Sequence, residues 1–339
     1  MDLGQLFLYI VLVVASTAIV WQGSFILEDS ADRLSAFYQL PPIVQGAVIA
    51  AVGSSFPELS STVLATLLHG KFELGLAAIV GSAIFNILVI PAVAGLISGN
   101  LAVDRLLVYK DAQFYITSVT VLLLSFAFAL IYNPVENTEW VGRLNRPLAL
   151  IPVALYGLYV FLQQQDAKEA QQDSSPPEGI NVIWQWLRLL FSLGLIVISV
   201  EGLVTAAIAF GEILNTPSFL WGLTTIAIAT SLPDTFVSVK AAQEGRSTIS
   251  LANVLGSNIF DLLVAIPVGV LIAGASTVNF AVAAPMMAVL TLATIILFAM
   301  LRTKFVLSTV ECWILLALYV GFITWMVLET IGITNLVAF

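Results

Sequence analysis

The sequence contains few charged side chains. Only 10% of its 339 residues are Asp, Glu, Lys or Arg, whereas a soluble domain carries roughly 25%. Hydrophobic residues make up 60% of the chain, and the mean hydropathy is +1.03. These values exclude an ordinary soluble fold and predict an all-α integral membrane protein.

Residue types that define other functional classes are also scarce. The chain has one cysteine, Cys312, and one histidine, His69, so it forms no internal disulfide and no cysteine–histidine zinc site. The net charge is −9 and there is no basic tract, so nucleic acid is not an expected partner. Because no nucleophile with a general base is visible, we expect a protein that is not an enzyme and needs no cofactor.

The chain is instead rich in long apolar runs. About ten of them are long enough to cross ~30 Å of hydrocarbon. They lie near 3–24, 40–68, 74–98, 114–132, 147–162, 180–210, 217–242, 249–275, 278–301 and 305–328. Most of the twelve Lys and Arg residues lie in loops or helix ends that follow odd-numbered runs. This asymmetry predicts a multi-pass protein of the cell membrane with those loops in the cytoplasm and both termini outside.

The two halves of the chain resemble each other. The segment GAVIAAVGSSFPELSSTV (46–63) aligns with GLTTIAIATSLPDTFVSV (222–239), and GSAIFNILV (81–89) aligns with GSNIFDLLV (256–264). An internal repeat of this kind divides the chain in two. The predicted units are a first five-helix repeat, a flexible cytoplasmic linker and a second five-helix repeat, at 1–162, 163–179 and 180–339.

The number of crossings in each repeat determines the orientation of the second half. Five crossings return the chain to the opposite side, so the second repeat enters the membrane upside down. The predicted fold is therefore ten transmembrane helices in two inverted-topology five-helix repeats, an arrangement typical of secondary transporters.

Polar residues lie deep inside the repeated runs, in pairs four residues apart. Residues at this spacing share one face of a helix. A charge at the centre of a membrane helix costs roughly 2.5–3.5 kcal/mol, so these side chains should face a cavity or one another. The pairs are Ser54 with Glu58, Ser82 with Asn86, Thr230 with Asp234, and Ser257 with Asp261.

Two prolines accompany these pairs. Pro57 and Pro233 cannot donate to the carbonyl four residues earlier, so we expect a kinked or broken helix with free carbonyl oxygens. Carboxylate, hydroxyl, amide and carbonyl oxygens suit Ca2+ and Na+, not zinc or copper. One Ca2+ or a few Na+ would compete for these oxygens. An empty site would carry uncompensated charge in a medium of low dielectric constant. Moving the site across the membrane without a bound ion is therefore unfavourable, as an exchanger requires.

The paired motifs GSSFPE with GSAIFN and ATSLPD with GSNIFD resemble the two α-repeats of the calcium/cation antiporter superfamily, the sodium/calcium exchangers. The resemblance implies that Glu58 and Asp234 are the central Ca2+ ligands. It also implies that the helices of the first and sixth apolar runs, 3–24 and 180–210, move across a fixed core. It also implies Ca2+ and Na+ ligands or flanking groups elsewhere in the repeats. These are the carbonyls of Ala51 and Ala227 and the side chains of Ser54, Ser55, Ser82, Asn86, Thr230, Ser231, Ser257 and Asp261.

Some positions depart from that family's pattern. Asp234 stands where many prokaryotic members carry Glu, and Ala83 stands where the second repeat has Asn258. SLPD and GSNIFD look like the potassium-dependent and animal exchangers. The role of Asp261 therefore stays open: its carboxyl group could stay protonated, bind K+ or take part in H+ coupling. The alternative functions are an H+/Ca2+ or K+-dependent Na+/Ca2+ antiporter and, from another class, a cation channel.

The same residues also have structural interpretations. Glu58 and Asp234 could form a hydrogen-bonded pair between helices. Asn86 and Asp261 could join helices, and Ser82 and Ser257 could serve only close packing. Outside the motifs, His69 is expected to be an exposed loop residue, and Glu201 to extend toward water near the external interface.

Overall fold

The computed structural model describes residues 3–38, 51–169 and 181–334. Two π-helical turns lie at Gly222–Ile226 and Asp261–Ala265, each between two α-helices. The helices are α1 (Leu3–Phe37), α2 (Ala51–Ser54), α3 (Phe56–Leu67), α4 (Phe72–Leu88), α5 (Ile90–Ser98), α6 (Arg105–Tyr132), α7 (Arg146–Glu169), α8 (Val182–Leu214), α9 (Ser218–Trp221), α10 (Ala227–Gln243), α11 (Ser247–Phe260), α12 (Ile266–Ala273), α13 (Phe280–Lys304) and α14 (Thr309–Thr330).

The expectation of a helical membrane protein is confirmed. Within the described ranges, eight helical segments are long and apolar enough to cross a membrane. Large apolar side chains on the outer helices point outward, as lipid-facing residues do; Phe7, Trp184, Phe191 and Trp313 are examples. The predicted run at 217–242, which carries Asp234, is not among the eight. Residues 40–50 of the predicted run at 40–68, which carries Glu58, lie outside the described residues.

The first helix is longer than its predicted run. The predicted run ends near residue 24 and the first charged residue of α1 after it is Glu28, but α1 continues to Phe37. The Arg33 side chain pairs with Asp29 one turn earlier, at 2.9 Å, and Arg188 of α8 lies 2.8 Å from the same carboxylate. These ion pairs let charged residues continue the helix, so the boundary at 24 was wrong.

The predicted linker also begins inside a helix. Helix α7 runs to Glu169, so residues 163–169 are helical and the expectation of a flexible segment was wrong for them. The Gln163 amide donates to the Tyr159 hydroxyl one turn earlier, at 3.0 Å, which extends the helix beyond its apolar part. Residues 170–179 lie outside the described residues.

Helices α1 and α8 pack against each other over most of their length. A Cβ at Gly23 would lie 2.8 Å from Ile196 Cγ1, and a Cβ at Gly202 would lie 2.5 Å from Ser16 Oγ. Residue numbers therefore rise along α1 as they fall along the facing side of α8. The two helices are antiparallel, and small residues bring their backbones close, as is common between membrane helices.

Two short antiparallel ribbons join the first half of the chain to the second. The strands are β1 (Leu101–Ala102), β2 (Val141–Asn145), β3 (Ala275–Asn279) and β4 (Val306–Leu307). Strand β1 pairs with β4, and β2 pairs with β3. The connection between α5 and α6 therefore lies beside that between α13 and α14, and the connection between α6 and α7 lies beside that between α12 and α13.

The centre of the molecule is formed by α4 and by the segment 247–273. Nearly every residue of α4 is buried, which is why its sequence is apolar on all sides. A Cβ at Gly81 would collide with the carbonyl of Leu223 and lie 2.9 Å from Ala227 Cβ. Only glycine permits this approach, and it brings α4 of the first repeat against the helix that carries Asp234.

Candidate functional site

The first repeat is interrupted where the sequence predicts. Helix α2 ends at Ser54 and α3 begins at Phe56, with Ser55 between them at φ −93° and ψ 9°. Pro57 lies in the first turn of α3, a position at which its missing N–H is tolerated. Glu58 follows directly and is 1% exposed. A new helix therefore begins beside the acid, and the Glu58 side chain lies buried inside the protein.

The second repeat differs, because α10 continues through Pro233. Of the kinked or broken helix that was expected at this proline, the break is excluded. The irregular backbone lies upstream, in the π-helical turn Gly222–Ile226. The Thr230 hydroxyl lies 3.1 Å from the carbonyl oxygen of Ile226 and 3.3 Å from that of Ala227, so it satisfies backbone acceptors beside the irregular turn.

Hydroxyl groups from the two repeats meet in the interior. Ser82 Oγ lies 2.7 Å from Ser231 Oγ, and Ser54 Oγ lies 3.0 Å from Ser257 Oγ. Ser55 Oγ lies 3.5 Å from the carbonyl oxygen of Ser257. All five serines are buried. The predicted hydroxyls therefore form one polar cluster between the repeats.

Each acid lies beside groups of the opposite repeat. The Glu58 carboxylate is close to Thr230, and the Asp234 carboxylate is close to Ser54. Ser54 and Thr230 occupy equivalent positions of the two motifs, so the arrangement is reciprocal. Glu58 also interacts electrostatically with Asp234 and with Asp261. The structure thus brings all three predicted acids into one region.

Amide groups complete the cluster. Asn86 Nδ2 lies 3.4 Å from Asp234 Oδ2 and 3.0 Å from Asn258 Oδ1. Asn258 in turn donates to the carbonyl of Ala83, at 3.2 Å, and to the Tyr115 hydroxyl, at 3.1 Å. Asn258 therefore positions Asn86, a role that the sequence analysis missed. The signal was the asymmetry between GSA and GSN in the two repeats.

Several oxygens of the cluster have no hydrogen-bond partner among the described residues. They are Glu58 Oε2, Asn86 Oδ1, Asp234 Oδ1 and both carboxylate oxygens of Asp261. The residues that carry them are at most 1% exposed. Leaving a buried polar group unsatisfied costs about 1–3 kcal/mol, and more for a charged group, so these oxygens are suited to a ligand that accepts electron pairs.

No basic side chain neutralises the three acids within the described ranges; the ion pairs there involve other residues. Nor do three or more His, Cys, Asp or Glu side chains converge there on one metal position. A cation at the site would therefore need hydroxyl, amide and carbonyl oxygens as well as carboxylates. Such an all-oxygen set is typical of hard cations such as Ca2+.

The remaining predicted ligands belong to α2, to α10 and to the second π-helical turn. Ala51 is the first residue of α2 and Ala227 the first of α10, so each precedes the hydroxyl and acid of its own repeat. Asp261 is the first residue of the second π-helical turn and lies close to Ser55. π-Helical turns occur frequently at functional sites.

Two residues outside the motifs are placed differently from expectation. His69 Nε2 lies 2.7 Å from Glu201 Oε1, and the two side chains are 25% and 31% exposed. Neither residue is a freely solvated surface group. The contact joins the turn between α3 and α4 to the second half of α8.

A comparison with known families identifies the chain. The family model described as "Sodium/calcium exchanger protein" matches residues 8–164 and 184–328, which is most of the sequence. The chain belongs to the sodium/calcium exchanger family. This membership confirms the resemblance carried by the paired motifs and supports a membrane antiporter rather than an enzyme.

Individual relatives of this exchanger agree with that assignment. The sodium/calcium exchanger MaX1 of Methanosarcina acetivorans is 26% identical over 272 residues, covering 71% of this chain and 76% of MaX1. A structure of the sodium-calcium exchanger NCX_Mj superimposes with a TM-score of 0.57 at 23% identity, over 94% of this chain and 99% of that one. The H+/Ca2+ exchanger CAX superimposes with a TM-score of 0.71 at 15% identity, over 92% of this chain and 81% of that one. Both likenesses support the same exchanger fold.

Proposed function

We propose that this exchanger moves Na+ and Ca2+ in opposite directions across the cell membrane and binds them in turn at the cluster between its repeats. The observation that carries the proposal is the set of buried, unpartnered oxygens on Glu58, Asn86, Asp234 and Asp261. Cations bound within the cluster would supply partners for these oxygens. The family membership supports antiport as the mode of transport.

The roles of individual residues follow from the chemistry of their oxygens. Glu58 and Asp234 are the central Ca2+ ligands, as the resemblance of the motifs implies, and a buried carboxylate oxygen without a partner on each supports this role. Asn86 and Asp261 flank the middle of the site. The carbonyls of Ala51 and Ala227 and the hydroxyls of the motifs complete the Ca2+ and Na+ positions; these hydroxyls belong to Ser54, Ser55, Ser82, Thr230, Ser231 and Ser257.

The proposed membrane arrangement is ten helices in two inverted repeats, 1–162 and 180–339, with both termini outside. The pairing of the strands supports it. A two-fold axis that relates the repeats would superimpose the β1–β4 ribbon on the β2–β3 ribbon. The antiparallel packing of α1 on α8 fits the same axis. The family match stops between 164 and 184, around the proposed junction.

Alternating access is the proposed mechanism. Helices α1 and α8 move as a pair against the core, a view supported by their extensive mutual packing. Their contacts with the core include the stacking of Trp21 on Phe236, at 4.3 Å between ring centroids, and the contact between Glu201 and His69. Such contacts can break in one state of the transporter and form again in the other.

The neutral oxygens of the site are suited to Na+ as well as to Ca2+, which supports coupling to Na+. A transported proton needs one carboxylate oxygen, whereas a metal cation needs several oxygens around it. The paired hydroxyls of Ser54 with Ser257 and of Ser82 with Ser231 supply such oxygens. H+/Ca2+ exchange is the alternative, because three buried acids without basic partners could also carry protons. The uptake experiment described next also distinguishes Na+/Ca2+ exchange from K+-dependent exchange and from a cation channel.

Radiolabelled Ca2+ uptake into proteoliposomes, with Na+, K+ or H+ gradients imposed in turn, tests the proposal. We expect an outward-directed Na+ gradient to drive uptake and a pH gradient alone to fail. Glu58→Gln and Asp234→Asn should each abolish uptake, while Glu139→Gln, which removes an exposed carboxylate, should leave it unchanged. Uptake driven only by a pH gradient, uptake that requires K+, or Ca2+ flux without any counter-ion would contradict Na+/Ca2+ exchange in favour of the corresponding alternative.

A further inference from the structure

A fourth acid borders the site from a different helix. Glu28 lies on α1, beyond the predicted end of the first run, and is partly buried. A Cβ at Gly53 would lie 3.8 Å from Glu28 Cγ, so the side chain lies against α2 just before its break. The Glu28 carboxylate also interacts electrostatically with Asp234. It therefore adjoins the central cluster without belonging to either motif.

The charge on Glu28 has no compensating cation among the described residues. The charged groups that act on it are Asp234 and Asp32, and both are acids. The adjacent Asp29 behaves differently, because it pairs with both Arg33 and Arg188. Asp29 thus joins α1 to α8, whereas Glu28 adds negative potential next to the site.

The acids on α1 are arranged along one direction. Glu28 and Asp32 are four residues apart and share a helix face. Asp32 is exposed and lies nearer the end of α1. Beyond Glu28, toward the centre, Asp234 Oδ1 is buried and accepts no hydrogen bond from the described residues. Carboxylates therefore lead from the end of α1, which is cytoplasmic in the proposed topology, to the central site.

We propose that Glu28 is a further cation-binding residue, which with Asp234 holds Ca2+ or Na+ as the ion passes between the central site and the cytoplasmic face. This inference rests on the proposed function. Because Glu28 lies on α1 and Asp234 lies on the core, movement of α1 changes the distance between the two carboxylates. The extra ligand is then available to ions that enter from the cytoplasmic side and withdrawn from ions that enter from outside.

The test compares Ca2+ affinity on the two faces of the membrane. Na+-driven exchange of radiolabelled Ca2+ is measured in everted and in right-side-out vesicles that contain the full chain, over a range of Ca2+ concentrations. For Glu28→Gln we expect the cytoplasmic KM for Ca2+ to rise about tenfold, the order expected when a charge that concentrates ions in a cleft is lost, with the external KM unchanged. Glu28→Asp should restore most of the affinity, because it keeps the charge.

The controls separate this inference from the proposed function. Glu244→Gln removes an exposed carboxylate that is paired with Arg246, on the same proposed face, and should change neither KM. If the wild type exchanges Ca2+ for Na+ while Glu28→Gln shows no change, or an equal change on both faces, the role of Glu28 is wrong and the proposed function stands. Failure of Glu28→Asp to restore the affinity would also reject a role based on charge. Absence of exchange in the wild type would reject the proposed function itself.

Discussion

At the scale of single residues, the site depends on reciprocal contacts between two similar motifs. Glu58 lies beside Thr230 and Asp234 beside Ser54, so each acid uses a hydroxyl from the other repeat. The two acids differ by one methylene, or roughly 1.5 Å of reach. The amide of Asn86 contacts Asp234, and we expect this contact to hold the shorter side chain in position.

Asn258 offers a prediction at this scale. Its replacement in Asn258→Ala removes the amide that contacts Asn86, Ala83 and Tyr115, so Asn86 loses its orientation toward Asp234. We expect a fall in Ca2+ affinity on the order of 10–100-fold, as for other residues that orient metal ligands. Isothermal titration of the purified protein with Ca2+ measures it.

The matched control for this change is Tyr115→Phe, which removes one of the contacts of Asn258 and keeps the packing. Its affinity should fall less than that of Asn258→Ala. Equal affinity in Asn258→Ala and the wild type would mean that Asn86 needs no support from the second repeat.

The sequence predicted the acids and hydroxyls that the structure brings together, but it predicted neither Asn258 nor Glu28 as their neighbour. Spacing and duplication indicated Glu58 and Asp234, because matching hydroxyls and prolines recur at both. Asn258 needed knowledge of α6, since Tyr115 is far away in sequence. Glu28 was missed because the first predicted run ended near residue 24, although α1 continues to Phe37.

At the scale of helices, irregular backbone is placed next to the site in both repeats, by different means. The first repeat has a break at Ser55, and the second has π-helical turns at Gly222–Ile226 and Asp261–Ala265. The prolines alone could not distinguish these forms. Pro57 falls in a first turn, where it is tolerated, whereas Pro233 lies inside a continuous helix.

The close approach of α4 to the helix that bears Asp234 gives a second prediction. In Gly81→Ala the new Cβ would collide with the carbonyl of Leu223 and crowd Ala227, so the two helices must separate. We expect a loss of stability of about 1–3 kcal/mol, typical of overpacking, together with weaker Ca2+ binding. Thermal unfolding in detergent, with and without Ca2+, measures both effects.

A matched glycine is available for comparison. A Cβ at Gly157 of α7 meets nothing within 4 Å, so Gly157→Ala should leave Ca2+ binding unchanged and should not lower the melting temperature. If the two variants behaved alike, the approach at Gly81 would not be important for the site.

At the scale of the whole molecule, the fold places the site at the interface between two halves that cannot form it alone. Every direct hydroxyl pair in the cluster joins one repeat to the other. The helical membrane fold was predictable from composition and from the apolar runs. The ribbons between β1 and β4 and between β2 and β3 were not, because they join loops that lie far apart in sequence.

The central claim is that one buried set of oxygens binds Ca2+ and Na+ in turn. Equilibrium binding of radiolabelled Ca2+ to the purified exchanger, over a range of Na+ concentrations, tests it most directly. We expect Na+ to displace Ca2+ competitively, with more than one Na+ needed for each Ca2+ released, and binding to be lost in Glu58→Gln and Asp234→Asn. Ca2+ binding that ignores Na+, or that survives unchanged in either variant, would contradict the claim.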